Sequence, residues 1–127
     1  MIKQTIIIPS STSKEIYEVL LDSHKHAKLT GDKAKIDPKV GGTFSIFGDY
    51  ATGENIILIS NKLIKQTWRA SDWPQGHYST IKFELSDKDG STEIKFTQSN
   101  LPKDTEAEFE SGWEDFYWTP LKKYFSK

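Results

Sequence analysis

Residues Thr105 to Phe125 read TEAEFESGWEDFYWTPLKKYF, a run that holds seven of the sixteen aromatic residues in a chain of 127. Phe109, Trp113, Phe116, Tyr117, Pro120, Leu121 and Tyr124 recur at three- and four-residue spacing, so a 3.6-residue period gathers them into one apolar stripe. The spacing predicts one long helix. Thr105 followed by Glu108 fits a capping box, with Asp104 as an alternative cap. Glu106, Glu108, Glu110 and Glu114 crowd the first half and Lys122, Lys123 and Lys127 the end, each set favourable to the helix macrodipole. Pro120 lacks the N–H that an interior helical residue donates, which predicts a kink. Trp118 falls off the stripe, about 140° from Trp113. It is expected to face a flap of the same chain, solvent or a protein partner.

Outward from this run, the pattern changes. Thr5 to Pro9 reads as a β-branched strand ended by proline. Thr12 with Glu15 makes a second capping box, and Ile16, Tyr17, Val19, Leu20 and Leu21 give a helical apolar face to about Asp22. Ser23 to Gly31 predicts a short second helix. The period then becomes alternating. Strands are expected over Lys33 to Asp37, Thr43 to Tyr50, Ile56 to Ile59, Leu63 to Ala70, Tyr78 to Ser86 and Thr92 to Gln98. Turns are expected at Ala51 to Glu54, Asn61-Lys62 and Asp87 to Ser91, with a loop from Ser71 to His77. Ile56 to Ile59 does not alternate, which puts Ile57 and Ile59 on the uncovered side of the sheet, under a covering element or as a contact strip for a second chain.

This order excludes a doubly wound parallel sheet, which requires helices between strands. It predicts an α+β fold: one domain over residues 1–127, with a curved antiparallel sheet of about six or seven strands wrapped around a long C-terminal helix. One or two short helices follow the first strand. A curved sheet gripping a helix leaves room for a cavity between them. Phe44, Ile46, Trp68, Ile81, Phe83, Trp113, Phe116 and Tyr117 are the residues expected around that groove, either lining a site for a small apolar ligand or filling the space as packed core.

Composition closes off several chemistries. With no cysteine, a disulfide framework, thiol catalysis and a cysteine-ligated zinc site are impossible. Net charge is −1, with 17 basic and 18 acidic residues interspersed, so there is no basic field for nucleic acid. No stretch reaches the length of a membrane span, and the N-terminus carries no secretion signal. A cytoplasmic setting is expected. His24 and His26 sit two apart without a carboxylate cluster, and His77 stands alone, so all three are read as surface residues and no metal is expected. Gly41-Gly42 lacks the further glycine and helix of a nucleotide-binding loop. Asp49, Asp72 and Glu84 read as ordinary solvated carboxylates. No catalytic residue and no cofactor are expected, and the oligomeric state is not encoded in any pattern.

Several short motifs coincide. The loop Trp73-Pro74-Gln75-Gly76-His77-Tyr78, the turn Asp89-Gly90-Ser91-Thr92-Glu93, Leu101-Pro102, Gly112-Trp113 and Phe116-Tyr117 together resemble the C-terminal domain of the activator of the heat-shock protein 90 ATPase. That domain belongs to the START-like, helix-grip superfamily. The likeness is clearest from Gly41 to Phe125. It implies the same fold and two roles. One is binding a small hydrophobic ligand, a lipid or metabolite, between sheet and helix. The other is contact with a heat-shock protein 90-type chaperone, through Trp73, His77 and Tyr78 and through Trp118. The eukaryotic activator carries an additional N-terminal domain that is not expected in these 127 residues, so chaperone contact is expected rather than ATPase stimulation. Some helix-grip proteins are cyclases or dehydratases. Here the inward positions carry Gln66 as the only strongly polar residue, which points away from an enzyme.

Overall fold

Two caps open the helical segment that follows the first strand. In the computed structural model, which describes residues 1–126, β1 (Ile2–Pro9) ends at its proline and α1 (Ser13–Leu21) begins at once. The expected capping box is present: Thr12 Oγ1 accepts from the Glu15 N–H and Glu15 Oε1 accepts from the Thr12 N–H. Asp22 ends α1 and caps α2 (Ser23–Thr30), and Gly31 closes α2 with the left-handed φ that glycine adopts without penalty.

The sheet comprises β1 with β2 (Ala34–Ile36), β3 (Thr43–Ile46), β4 (Ala51–Ile59), β5 (Leu63–Ala70), β6 (Ser79–Lys88) and β7 (Ser91–Ser99). These seven strands are all antiparallel, in the order β1-β7-β6-β5-β4-β3-β2. Consecutive hairpins build the meander from β2 to β7. The first strand then pairs with the last, Ile6 opposite Ile94. Alternation buries Ile64, Gln66 and Trp68 on β5, Ile81, Phe83 and Leu85 on β6, and Ile94, Phe96 and Gln98 on β7. The C-terminal helix lies across this curved face, completing an α+β helix-grip architecture.

Two sequence expectations fail in the first half of the sheet, for identifiable reasons. The strand expected over Thr43 to Tyr50 stops at Ile46, because Phe47, Gly48 and Asp49 all take positive φ and reverse the chain. The turn expected at Ala51 to Glu54 is instead the start of β4. Gly53 suggested a turn. It is there because Phe44, its partner across β3 and β4, lays its ring over it: a Cβ on Gly53 would stand 2.6 Å from Phe44 Cζ and would collide with the Thr67 carbonyl oxygen. The run Ile56 to Ile59 fails to alternate because β4 bulges between Asn55 and Ile57, which leaves Ile56 and Ile57 both exposed, as is Ile59.

The C-terminal helix also departs from its expected form. It comprises α3 (Glu106–Trp113), a five-residue π-turn (Glu114–Trp118) and α4 (Thr119–Tyr124). The capping box at Thr105 is not formed; the Thr105 hydroxyl donates to the Pro102 carbonyl instead. The irregularity expected at Pro120 takes the shape of the preceding π-turn, in which the Thr119 N–H reaches back five residues to the Glu114 carbonyl. An extra residue in a turn rotates everything after it by about 100° relative to an α-helix. Trp118 therefore swings onto the sheet, at 1% exposure, and Phe116 swings out, at 59%. Of the alternatives expected for Trp118, cover by the same chain is the one the structure shows, and contact with a partner through its ring is corrected. Its Nε1 donates to Gln4 Oε1 of β1 at 2.8 Å. Lys127, grouped above with the basic residues at the helix end, lies outside the described residues.

Candidate functional site

Where the helix leaves the sheet, the molecule holds a half-open cavity of about 450 Å3. Phe47 and Tyr50 reach it from the β3–β4 turn, and Trp68 forms its floor from β5. The helix supplies Phe109, Gly112, Trp113, Phe116 and Tyr117. Asp32, after α2, and Glu108 stand at the mouth, both exposed. The volume lies within the ~300–1,000 Å3 range of small-molecule sites. Deeper in, between helix and sheet, the space shrinks to about 20 Å3 among Phe44, Ile46, Ile81 and Phe83. That is room for little more than one water.

Buried polar side chains hold the walls in place. Trp113 Nε1 donates to Gln98 Oε1 at 2.8 Å, Gln98 Nε2 donates to Ser79 Oγ at 3.0 Å, and Ser79 Oγ donates to the Trp68 carbonyl at 2.7 Å. One relay thus ties the helix indole to the strand that carries the floor indole. Asn55, at the β4 bulge, donates to the Asp37 and Lys39 carbonyls and accepts from Gln66 Nε2 at 2.8 Å. At the inner end, His26 Nε2 lies 2.8 Å from the Tyr117 hydroxyl, edge-on to its ring. Burial pushes the His26 pKa down to about 4 and the Tyr117 phenol well above its usual value, so both are neutral at pH 7. Burial also raises the Tyr50 phenol, and the negative charges of Asp72 and Glu108 add to that. Among the described residues, Trp68 Nε1 and His26 Nδ1 are buried without a hydrogen-bond partner.

Residues 10–126 match the family described as activator of Hsp90 ATPase homolog 1-like protein. The chain belongs to this family. An uncharacterized protein of Schizosaccharomyces pombe is 32% identical over 113 residues, 89% of this chain and 34% of its own length. The activator of 90 kDa heat shock protein ATPase homolog 1 of Mus musculus is 29% identical over 124 residues, 98% of this chain and 36% of its own length. The chain thus spans about a third of the curated relatives it matches. A crystal structure of an HSP90 activator from Plasmodium falciparum superimposes with a TM-score of 0.90 at 24% identity, covering 97% of this chain and 94% of that one.

For a member of the Hsp90-activator-like family, the eight residues expected around the groove divide in two. Trp68, Trp113, Phe116 and Tyr117 line the open cavity, whereas Phe44, Ile46, Phe83 and Ile81 do not and instead surround the nearly filled inner space. The motif loop divides as well. Trp73 turns inward, edge-on to Trp68 at 5.4 Å and to Phe109 at 5.3 Å, so its ring is core and not contact surface. His77 is partly buried; its Nε2 sits 2.8 Å from the Asn100 carbonyl. Tyr78 remains outside, 43% exposed, with the Arg69 guanidinium over its ring.

Phe47, Tyr50, Phe109 and Gly112 line the cavity without being among the expected groove residues, and His26 lies inside the protein and not on its surface. The positive-φ turn that presents Phe47 and Tyr50 was hidden inside an apparently regular strand. The surface expectation for His26 follows from the lack of any metal-ligand pattern around it and does not hold. His26 is 2% exposed, and it adds a titratable group to a groove expected to hold only Gln66 as a strongly polar residue. Its three-residue spacing to the buried Leu29 was the available signal.

Proposed function

We propose that the chain is a co-chaperone-like domain that binds a heat-shock protein 90-type chaperone in the cytoplasm and catalyses no reaction itself. The observation that carries this reading is the match of residues 10–126 to the Hsp90 ATPase activator-like family. The contact surface proposed is the outer face of the motif loop, from Pro74 to Tyr78, where the backbone is held by Arg69 Nη2 donating to the Trp73 and Pro74 carbonyls. Tyr78, an exposed aromatic braced by Arg69, has the character of an interface anchor. Calorimetric titration of the domain into a purified heat-shock protein 90 should give saturable binding, weakened about tenfold or more by Tyr78→Ala. Stimulation of the chaperone's ATPase, measured in the same mixtures, tells whether contact alone activates it. Absence of any binding heat, together with no retention on immobilised chaperone, would remove the reading.

A second role, binding a small hydrophobic ligand, is supported by the 450 Å3 aromatic cavity and by Gly112 on its wall. A Cβ built on Gly112 meets no atom within 4 Å. Mid-helix glycine costs about 1 kcal/mol relative to alanine, and here it keeps space open. Gly112→Leu should fill the cavity and abolish saturable indole NMR shifts of Trp68 and Trp113 with apolar ligands, while leaving chaperone binding unchanged.

A further inference from the structure

The cavity is aromatic on its walls and acidic at its mouth. Among the described residues, Asp32 and Glu108 are the only charged ones that line it, with no lysine or arginine. Neither carboxylate belongs to an ion pair among the described residues. Asp72, which does not line the cavity, acts together with Glu108 on Tyr50, which does, and so adds to the negative potential there. Uncompensated carboxylates at the rim of a low-dielectric pocket focus a negative potential into it. A fatty acid or any other organic anion entering there would meet repulsion.

We propose that this cavity takes a small organic cation, a protonated amine or quaternary ammonium on an apolar body. The inference rests on the ligand-binding reading and adds the charge class of the ligand. Two independent features favour a cation. Phe47, Tyr50, Trp68 and Phe116 line the cavity with aromatic rings, whose faces attract positive charge through their quadrupoles. The mouth carboxylates supply the counter-charge, Asp32 held in place by accepting the Lys33 N–H at 2.8 Å. The apolar body replaces water against a wall of buried aromatics. The unpartnered Nε1–H of Trp68, a residue 4% exposed on the cavity floor, suits a ligand that also carries an oxygen acceptor.

The test uses three probes on one naphthyl skeleton: naphthylmethyl-trimethylammonium, naphthylethanol and naphthylacetate. Each is titrated into labelled protein at constant ionic strength, with the indole N–H signals of Trp68 and Trp113 as readout. The cation is expected to bind about tenfold or more tighter than the alcohol, and the acetate to give no saturable shift. In the double variant Asp32→Asn, Glu108→Gln, the cation's Kd should rise toward that of the alcohol while the alcohol's own Kd stays put. Asn retains the oxygen that accepts from Lys33, and Glu108 is exposed, so the fold is kept. Equal affinity for cation and alcohol, or a preference that survives the double variant, overturns the charge inference and leaves ligand binding standing. Silence from all three probes overturns both.

Discussion

Gly112 and His26 each carry a cost in stability that the structure makes measurable. Gly112 stands inside α3 beside open space, so alanine there should add about 0.5–1 kcal/mol by restricting the unfolded chain without a clash. A denaturant midpoint raised at constant slope would verify it. His26 works in the opposite sense. Its folded pKa, about 4, lies below the usual 6.5, so between those values the unfolded chain takes up a proton that the folded chain refuses. Its contribution to stability is therefore intact above pH 6.5 and is lost as pH falls toward 4. The difference between pH 7 and pH 4.5 should be about 2–3 kcal/mol from this residue. His26→Gln keeps a hydrogen-bonding partner for Tyr117 but does not titrate. Thermal melts of both proteins across that range should converge at acid pH, the wild-type protein losing more.

The elements show which parts of the fold can be read from residue order and which cannot. Leu63–Ala70 was predicted to the residue, because turn residues bound it on both sides and its alternation is unbroken. The α1 cap is legible too, and so is the β6–β7 hairpin, although its strands run closer to the turn, to Lys88 and from Ser91, than the expected Ser86 and Thr92. Signals that arise only from contact across the sheet are not legible. Gly53 looks like punctuation until Phe44 is seen lying on it, and four successive apolar residues look like a misfit until the bulge at Asn55 explains them. The same holds for the site. Trp68, Trp113 and Tyr117 were legible from period alone, while Phe47 and Tyr50 depended on a turn. The π-turn is the clearest case, since a strict 3.6-residue period assigns Phe116 to the core and Trp118 to the surface. With Trp118 packed on Phe96 at 5.3 Å and bonded to Gln4, Trp118→Ala should cost about 3–5 kcal/mol, far more than Phe116→Ala. Chemical denaturation of the two variants side by side decides between the π-turn and an uninterrupted helix.

At the scale of the whole molecule, one sheet carries two separable surfaces. Its order brings the N-terminal strand against the last hairpin, so that Trp118 and Gln4 join the two ends of the chain. The same wrap leaves the exposed face of Tyr78 outside the cavity that Gly112 lines. Tyr78→Ala and Gly112→Leu should thus act independently, the first on chaperone retention alone and the second on ligand titration alone. The four indoles have a further consequence. Trp73, Trp68, Trp113 and Trp118 follow one another through the interior at centroid separations of 5.4, 5.8 and 5.9 Å. At such distances their strong far-ultraviolet transitions should couple, and the folded protein should show a paired positive and negative circular dichroism signal there that no isolated tryptophan possesses. Any molecule that slides between the floor and the helix must break that optical chain at its middle link, and the protein needs no added dye to report it.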